Sequence, residues 1–206
     1  MSNSLTAFST SLVHADRLIE GTKTGRGRPT SKEASMFVAS VALTYAAWEA
    51  YVEDAAVEVS AFLADNIDPG RVPASARSAI ESVSSSAWEL TVHPGWREIW
   101  KARVVALAKG DPNGDQFGMN TAGTKQIELL YSAVGVSFLK KTTRDDRKEL
   151  EALIDARGKV VHSANTPESF NKQAARDYRN LVERLAIDAD ATMRDQARNL
   201  VGHAPW

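Results

Sequence analysis

TSKEASMFVASVALTYAAWEAYVEDAAVEVSAFLADN, residues 30–66, holds Phe37, Val41, Thr44, Trp48, Tyr51, Ala55, Val59 and Phe62 at alternating steps of three and four residues. That spacing is one face of a helix, with no period-two alternation to suggest a strand. Thr30 followed by Glu33 is a capping-box pattern, in which hydroxyl and carboxylate satisfy each other's free backbone donors, so the helix starts there. The sequence DPG after Asn66 stops it. This apolar stripe is core.

The same periodicity extends in both directions. Upstream, Leu5, Phe8, Leu12, Ala15 and Ile19 mark an amphipathic helix ending at Gly21, and GTKTGRGRPT then forms a glycine-rich, positively charged loop. Downstream, the stretch from Pro73 to about Gly123 is less regular. It holds one helix near Ala74 to Val83 and another carrying Trp96, Ile99, Trp100, Val104 and Leu107. From Thr124, Ile127, Leu130, Tyr131 and Val134 repeat the pattern until Gly135. A helix beginning near Thr143 carries Leu150, Leu153, Ile154, Arg157 and Val161, and SANTP breaks it after His162. Thr166 as cap and Pro167 in the first turn open the last helix, with Phe170, Ala174, Tyr178, Leu181, Leu185, Ala189, Met193 and Leu200 on one face, running to about Val201. The expected fold is therefore all-α: a bundle of about five to seven helices with a long C-terminal helix, in one domain over residues 1–206.

Composition narrows the function classes. The 206 residues include 25 Lys and Arg against 26 Asp and Glu, a net charge of −1, so no global field draws the chain to nucleic acid or anionic membrane. Any such binding must come from a local patch. There is no cysteine, which removes thiolate metal sites, disulfides and cysteine nucleophiles and fits a reducing, cytoplasmic setting. No signal-peptide pattern opens the chain and no apolar run reaches the length of a membrane span. DPNGDQFG from Asp111 has acidic or amide residues where a calcium loop has its first ligands, but Gln116 stands where that loop needs glycine. GRGRP at 25–29 lacks the lysine and the strand-turn-helix setting of a phosphate loop. His14, His93 and His203 show no ligand spacing, and Trp88, Trp96 and Trp100 read as packing before base-stacking.

One position breaks the apolar pattern. Seven residues after Leu150 and three after Ile154, where the stripe asks for an apolar side chain, stands Arg157. Burying a permanent cation without compensation is costly, so Arg157 needs a carboxylate, a second subunit or a bound anion. His162 follows five residues on, and at roughly 100° per residue an ideal helix turns it about 140° away from Arg157. Gly158 and the helix break loosen that constraint, and a two-fold axis beside the helix would bring both copies of each residue together.

The segment TAGTKQIELLYSAVGVSFLKKTTRDDRKELEALIDARGKVVHSAN, residues 121–165, resembles the C-terminal half of the RiboL-PSP branch of the HEPN superfamily, whose pattern is L-x-x-L-V-x-x-R-N-x-x-A-H-G. LTYAAWEAYVED, residues 43–54, is similar to that branch's early helix with its tryptophan and glutamate. Arg157 and His162 match the motif, whereas Gly158 and Ser163 stand where the family usually has Asn and Gly. The resemblance implies a metal-independent endoribonuclease, a homodimer acting as a toxin or antiviral defence effector with an antitoxin or defence-system partner. It needs no cofactor or metal. The substrate's 2′-hydroxyl attacks the adjacent phosphate, His162 serves as general acid or base, and Arg157 stabilises phosphoryl charge. Glu49 orients the histidine or pairs with Arg157. Lys23, Arg26, Arg28, Lys140, Lys141, Arg144 and Lys159 are the candidate RNA-binding cations. The alternatives are a HEPN module that binds RNA, a nucleotide or a partner protein without cleaving, and a purely structural helical protein with Arg157 in an ion pair.

Overall fold

The computed structural model describes residues 1–22, 29–83, 95–111, 117–163 and 171–206, with side chains of 160–163 outside the description. Seven α-helices are described: α1 Asn3–Glu20, α2 Ser31–Asn66, α3 Ala74–Glu81, α4 Gly95–Lys109, α5 Thr124–Val134, α6 Arg144–Ser163 and α7 Lys172–Val201. A single 3-10 turn, Pro69–Arg71, follows α2, and no strand occurs among the described residues. The all-α bundle with a long C-terminal helix expected from periodicity is present.

At 36 residues, α2 extends for about 54 Å. It packs against α1, α4, α5, α6 and α7, so most of its circumference is covered. Its sequence provides for this: Val41, Trp48, Val52, Val59 and Leu63 are fully buried, as are Tyr45 and Tyr51 on neighbouring rows. Apolar residues from all seven helices join a single buried cluster around it. Aromatic polar atoms lock the helices in place. The Tyr51 hydroxyl donates to the Ala186 carbonyl of α7 (2.9 Å), Tyr131 to Val52 (2.8 Å), and Trp100 Nε1 to Ala133 (2.8 Å). Each bond crosses between helices and satisfies a group that burial would otherwise penalise. Trp96 and Trp100 are buried and stack on each other, as packing residues would.

The helix ends follow local chemistry. The Thr30–Glu33 capping box forms as expected. At α1, Ser2 caps from within the chain while Glu58 of α2 accepts the amides of Asn3 (3.0 Å) and Ser4 (2.9 Å), tying the start of one helix to the middle of another. Gly135 ends α5 at φ +83°, a left-handed conformation that favours glycine, and its amide returns to Tyr131 O. Thr143 and Asp146 exchange bonds at the start of α6: Asp146 Oδ2 accepts from the Thr143 amide (2.9 Å) and hydroxyl (2.8 Å), and the Asp146 amide donates to Thr143 Oγ1 (3.1 Å). Arg184 of α7 binds the other carboxylate oxygen at 2.6 Å.

The start of the last helix differs from the sequence reading. Its cap is Asn171, whose side chain accepts from the Ala174 amide (2.9 Å), because an amide oxygen at that position reaches the third helical donor. Thr166, Pro167 and Phe170 lie outside the described residues, as do Trp88, His93 and residues 112–116 of the calcium-like stretch. No helix among the described residues is long and apolar enough to cross a membrane.

Candidate functional site

Arg157 lies where α6 passes α2. Leu150, Leu153 and Ala156 on the same helix are buried, Ile154 is partly buried against the core, and Arg157 sits half-buried at the edge of that stripe. The compensation expected for a cation in this position comes from within the chain. Its guanidinium carbon stands over the ring of Tyr45, 5.3 Å from the centroid, which is cation–π geometry. Four residues along α2 and on the same face, Glu49 accepts a 3.0 Å hydrogen bond from the Tyr45 hydroxyl. Glu49 is half-buried.

The link between α4 and α5 closes the site from a third side. Ala122 is fully buried, and both of its backbone groups bond to side chains of α2: its amide donates to Tyr45 Oη (3.0 Å) and its carbonyl accepts from Trp48 Nε1 (3.1 Å). Tyr45 and Trp48 therefore hold the approach to α5 against the same surface that receives Arg157. Gly123 follows, and a Cβ there would meet Ile154 Cδ1 at 3.3 Å, so the chain at this point lies close to α6.

Charge in this cluster is balanced locally. Burial pushes the Glu49 carboxyl above its ordinary pKa, while the Tyr45 hydrogen bond, the positive charge of Arg157 and the Ala122 amide pull it back down. Burial also pushes Tyr45 up to about 12, helped by the negative charge of Glu49, so at neutral pH the phenol keeps its proton and donates it. One turn along α2, burial raises the Glu53 carboxyl while Lys109 of α4 opposes the rise, binding Glu53 at 3.3 Å and Asp54 at 2.6 Å. Lys109 thus serves the far end of this acidic row, and Arg157 acts on the near end, at Glu49.

Of the three residues placed in the catalytic group, Glu49 and Arg157 come together around Tyr45, and the His162 side chain lies outside the described residues. The cationic residues divide. Lys140, Lys141 and Arg144 are exposed at the start of α6, about 20 Å along the helix from Arg157. Two residues past Arg157, Lys159 is exposed on another face of α6, roughly 200° around the helix. Lys23, Arg26 and Arg28 fall outside the described residues. His14 and His203 are exposed, and His203 packs edge-on against Phe62. Tyr45 is the member that sequence reading missed. Its signal was the four-residue spacing to Glu49, which places both on one helix face.

No protein-family model, curated protein or solved structure matches the chain.

Proposed function

We propose that the protein is a metal-independent endoribonuclease of HEPN type, with Arg157 and His162 at its centre. One observation carries this reading: a guanidinium occupies an apolar-stripe position on α6, half-buried and flanked by Tyr45 and Glu49, with a histidine five residues further on. On the exposed face of the helix a cation would be fully hydrated. Arg157 instead sits at the margin of the core, where reduced solvation strengthens its attraction for an anion.

In this mechanism the 2′-oxygen of RNA attacks the adjacent phosphorus as the bond to the 5′-oxygen breaks. His162 accepts the 2′-proton or supplies one to the leaving 5′-oxygen, solvent water completing the other transfer, and Arg157 stabilises charge on the phosphoryl oxygens. The products are a 2′,3′-cyclic phosphate and a 5′-hydroxyl. Glu49, which accepts from Tyr45 and lies within the field of Arg157, is a positioning residue. The chain acts as a homodimer that brings two α6 helices together, in the cytoplasm, as a toxin or phage-defence effector with an antitoxin or defence-system partner. Lys140, Lys141 and Arg144 hold the RNA backbone, joined by Lys23, Arg26, Arg28 and Lys159.

A second reading, a non-catalytic HEPN module that binds RNA, a nucleotide or a partner protein, is favoured by Gly158, where the family has a polar residue. Packing does not demand that glycine, because an added Cβ would meet nothing within 4 Å. The two readings separate in one assay. Purified protein incubated with RNA and excess chelator is expected to produce cyclic-phosphate ends, and His162→Ala to lose roughly a hundredfold or more of the rate. Gly158→Asn is expected to raise it. RNA bound but uncut by wild type and Gly158→Asn alike supports the binding module. Magnesium dependence, 5′-phosphate ends or full activity in His162→Ala defeats the proposed chemistry.

A further inference from the structure

An arginine side chain has many rotamers, and a half-buried one reaching toward a phosphate acts only if something holds its plane. Among the described side chains next to Arg157 on α6, Ile154 and Ala156 are apolar, and Gly158 has no side chain. The hold comes from α2. Tyr45 is 2% exposed, and its hydroxyl is fixed at both ends, accepting from the Ala122 amide at 3.0 Å and donating to Glu49 at 3.0 Å. With its hydroxyl anchored, the far end of the ring cannot shift without breaking a buried hydrogen bond, close packing around the buried ring limits rotation about its long axis, and the guanidinium carbon rests over its face. A leucine or methionine would fill similar volume but present neither the negative ring face nor the hydroxyl.

We infer that Tyr45 is the positioning residue for Arg157: its ring, held by the core, is the seat of the guanidinium, and its hydroxyl, bonded to Ala122 and Glu49, anchors the far end of that seat. The seat itself is independent of what Arg157 binds, whereas its consequence for cleavage rests on the reading proposed above. The same side chain joins three elements, its ring meeting α6 and its hydroxyl the approach to α5, so the placement of both against α2 converges on Tyr45. Tyr45→Phe keeps the ring and removes the anchor. Tyr45→Met removes both.

The test joins a spectroscopic signal to kinetics. Protons over an aromatic face are shielded, so the Nε–H of Arg157, assigned in 15N-arginine-labelled protein by its loss in Arg157→Lys, is expected upfield of the other arginines. It should stay upfield in Tyr45→Phe and return to the ordinary range in Tyr45→Met. RNA cleavage at equal folded fraction should fall in kcat on the order of tenfold or more in Tyr45→Met, with KM little changed, and by a smaller factor in Tyr45→Phe, which keeps the ring but frees its far end. A residue that merely packs would leave the Arg157 signal unmoved and give Tyr45→Met and Tyr45→Phe equal rates, and either result overturns the inference. If wild-type protein cuts no RNA, the ribonuclease reading fails and the NMR signal alone decides the seat. If Tyr45→Met does not fold, the wild-type signal decides: an Arg157 Nε–H within the ordinary range overturns the proposal.

Discussion

Asp146 gives the most quantitative forecast, because it holds the start of the helix that carries Arg157. Its carboxylate accepts two bonds from Thr143 and one from Arg184, and the Arg184 hydrogen bond above all lowers its pKa from the ordinary 3.8 to about 2. A depression of that size corresponds to about 2.4 kcal/mol of folding stability above pH 4. Arg184 is 50% exposed, so water screens the pair and roughly 1–2 kcal/mol is the expected contribution. Asp146→Asn keeps the shape and an acceptor oxygen but removes the charge. At pH 7 it should lower Tm by roughly 2–8 °C for a chain of this size. The sign in pH follows from the depressed folded value: the stabilisation is complete above the unfolded pKa and is lost as pH falls through the folded one. About half of the gap between wild type and Asp146→Asn should remain at pH 3. Urea unfolding followed by tryptophan fluorescence at pH 7, 5 and 3 measures it, and an Arg184→Met background should largely abolish the effect of Asp146→Asn. Equal stability at pH 7, or a gap just as wide at pH 3, would show that the ion pair does not hold the start of α6.

Gly135→Ala places a Cβ in a left-handed conformation and 2.9 Å from Pro73 Cγ, so strain and overpacking together should cost roughly 2–4 kcal/mol. Thermal unfolding should then show a Tm loss of roughly 5–15 °C, and a loss under 2 °C would mean that the turn after α5 readjusts freely. Replacing Lys140, Lys141 and Arg144 together by Gln should lower the slope of log affinity for single-stranded RNA against log salt by about 2, at roughly 0.7 for each phosphate no longer neutralised. Sequence preference should not change, and an unchanged slope removes the start of α6 from the RNA path. Light scattering at micromolar concentration checks the proposed homodimer, with a persistent monomer in the presence of RNA as the refuting result.

Most of the helical framework was legible in the chain because it depends on local rules. The three-and-four spacing from Phe37 to Phe62, the Thr30–Glu33 box and the glycines at 21 and 135 each act within a few residues, and each appears in the structure where the pattern puts it. The last helix shows the limit of such rules. Thr166 with Pro167 is a sound start signal but lies outside the described residues, and the described helix takes Asn171 as its cap, because its side-chain oxygen reaches the Ala174 amide three residues on. Composition and spacing also singled out Arg157, because a cation in an apolar stripe is visible in one dimension.

What satisfies that cation was settled only in three dimensions. The sequence demanded a carboxylate, a second subunit or an anion for Arg157 and had no means to choose, since the residues that answer it are more than a hundred positions away. Tyr45, read in one dimension, is one more aromatic on a core helix. Only the approach of α6 to α2 lays the guanidinium on its ring, and only the return of the chain at Ala122 pins its hydroxyl beside Glu49. Periodicity fixes which face of a helix is buried, because that follows from 3.6 residues per turn. Which side chains meet across two buried faces depends on how the helices pack along their lengths, and that is decided by the fit of the whole core.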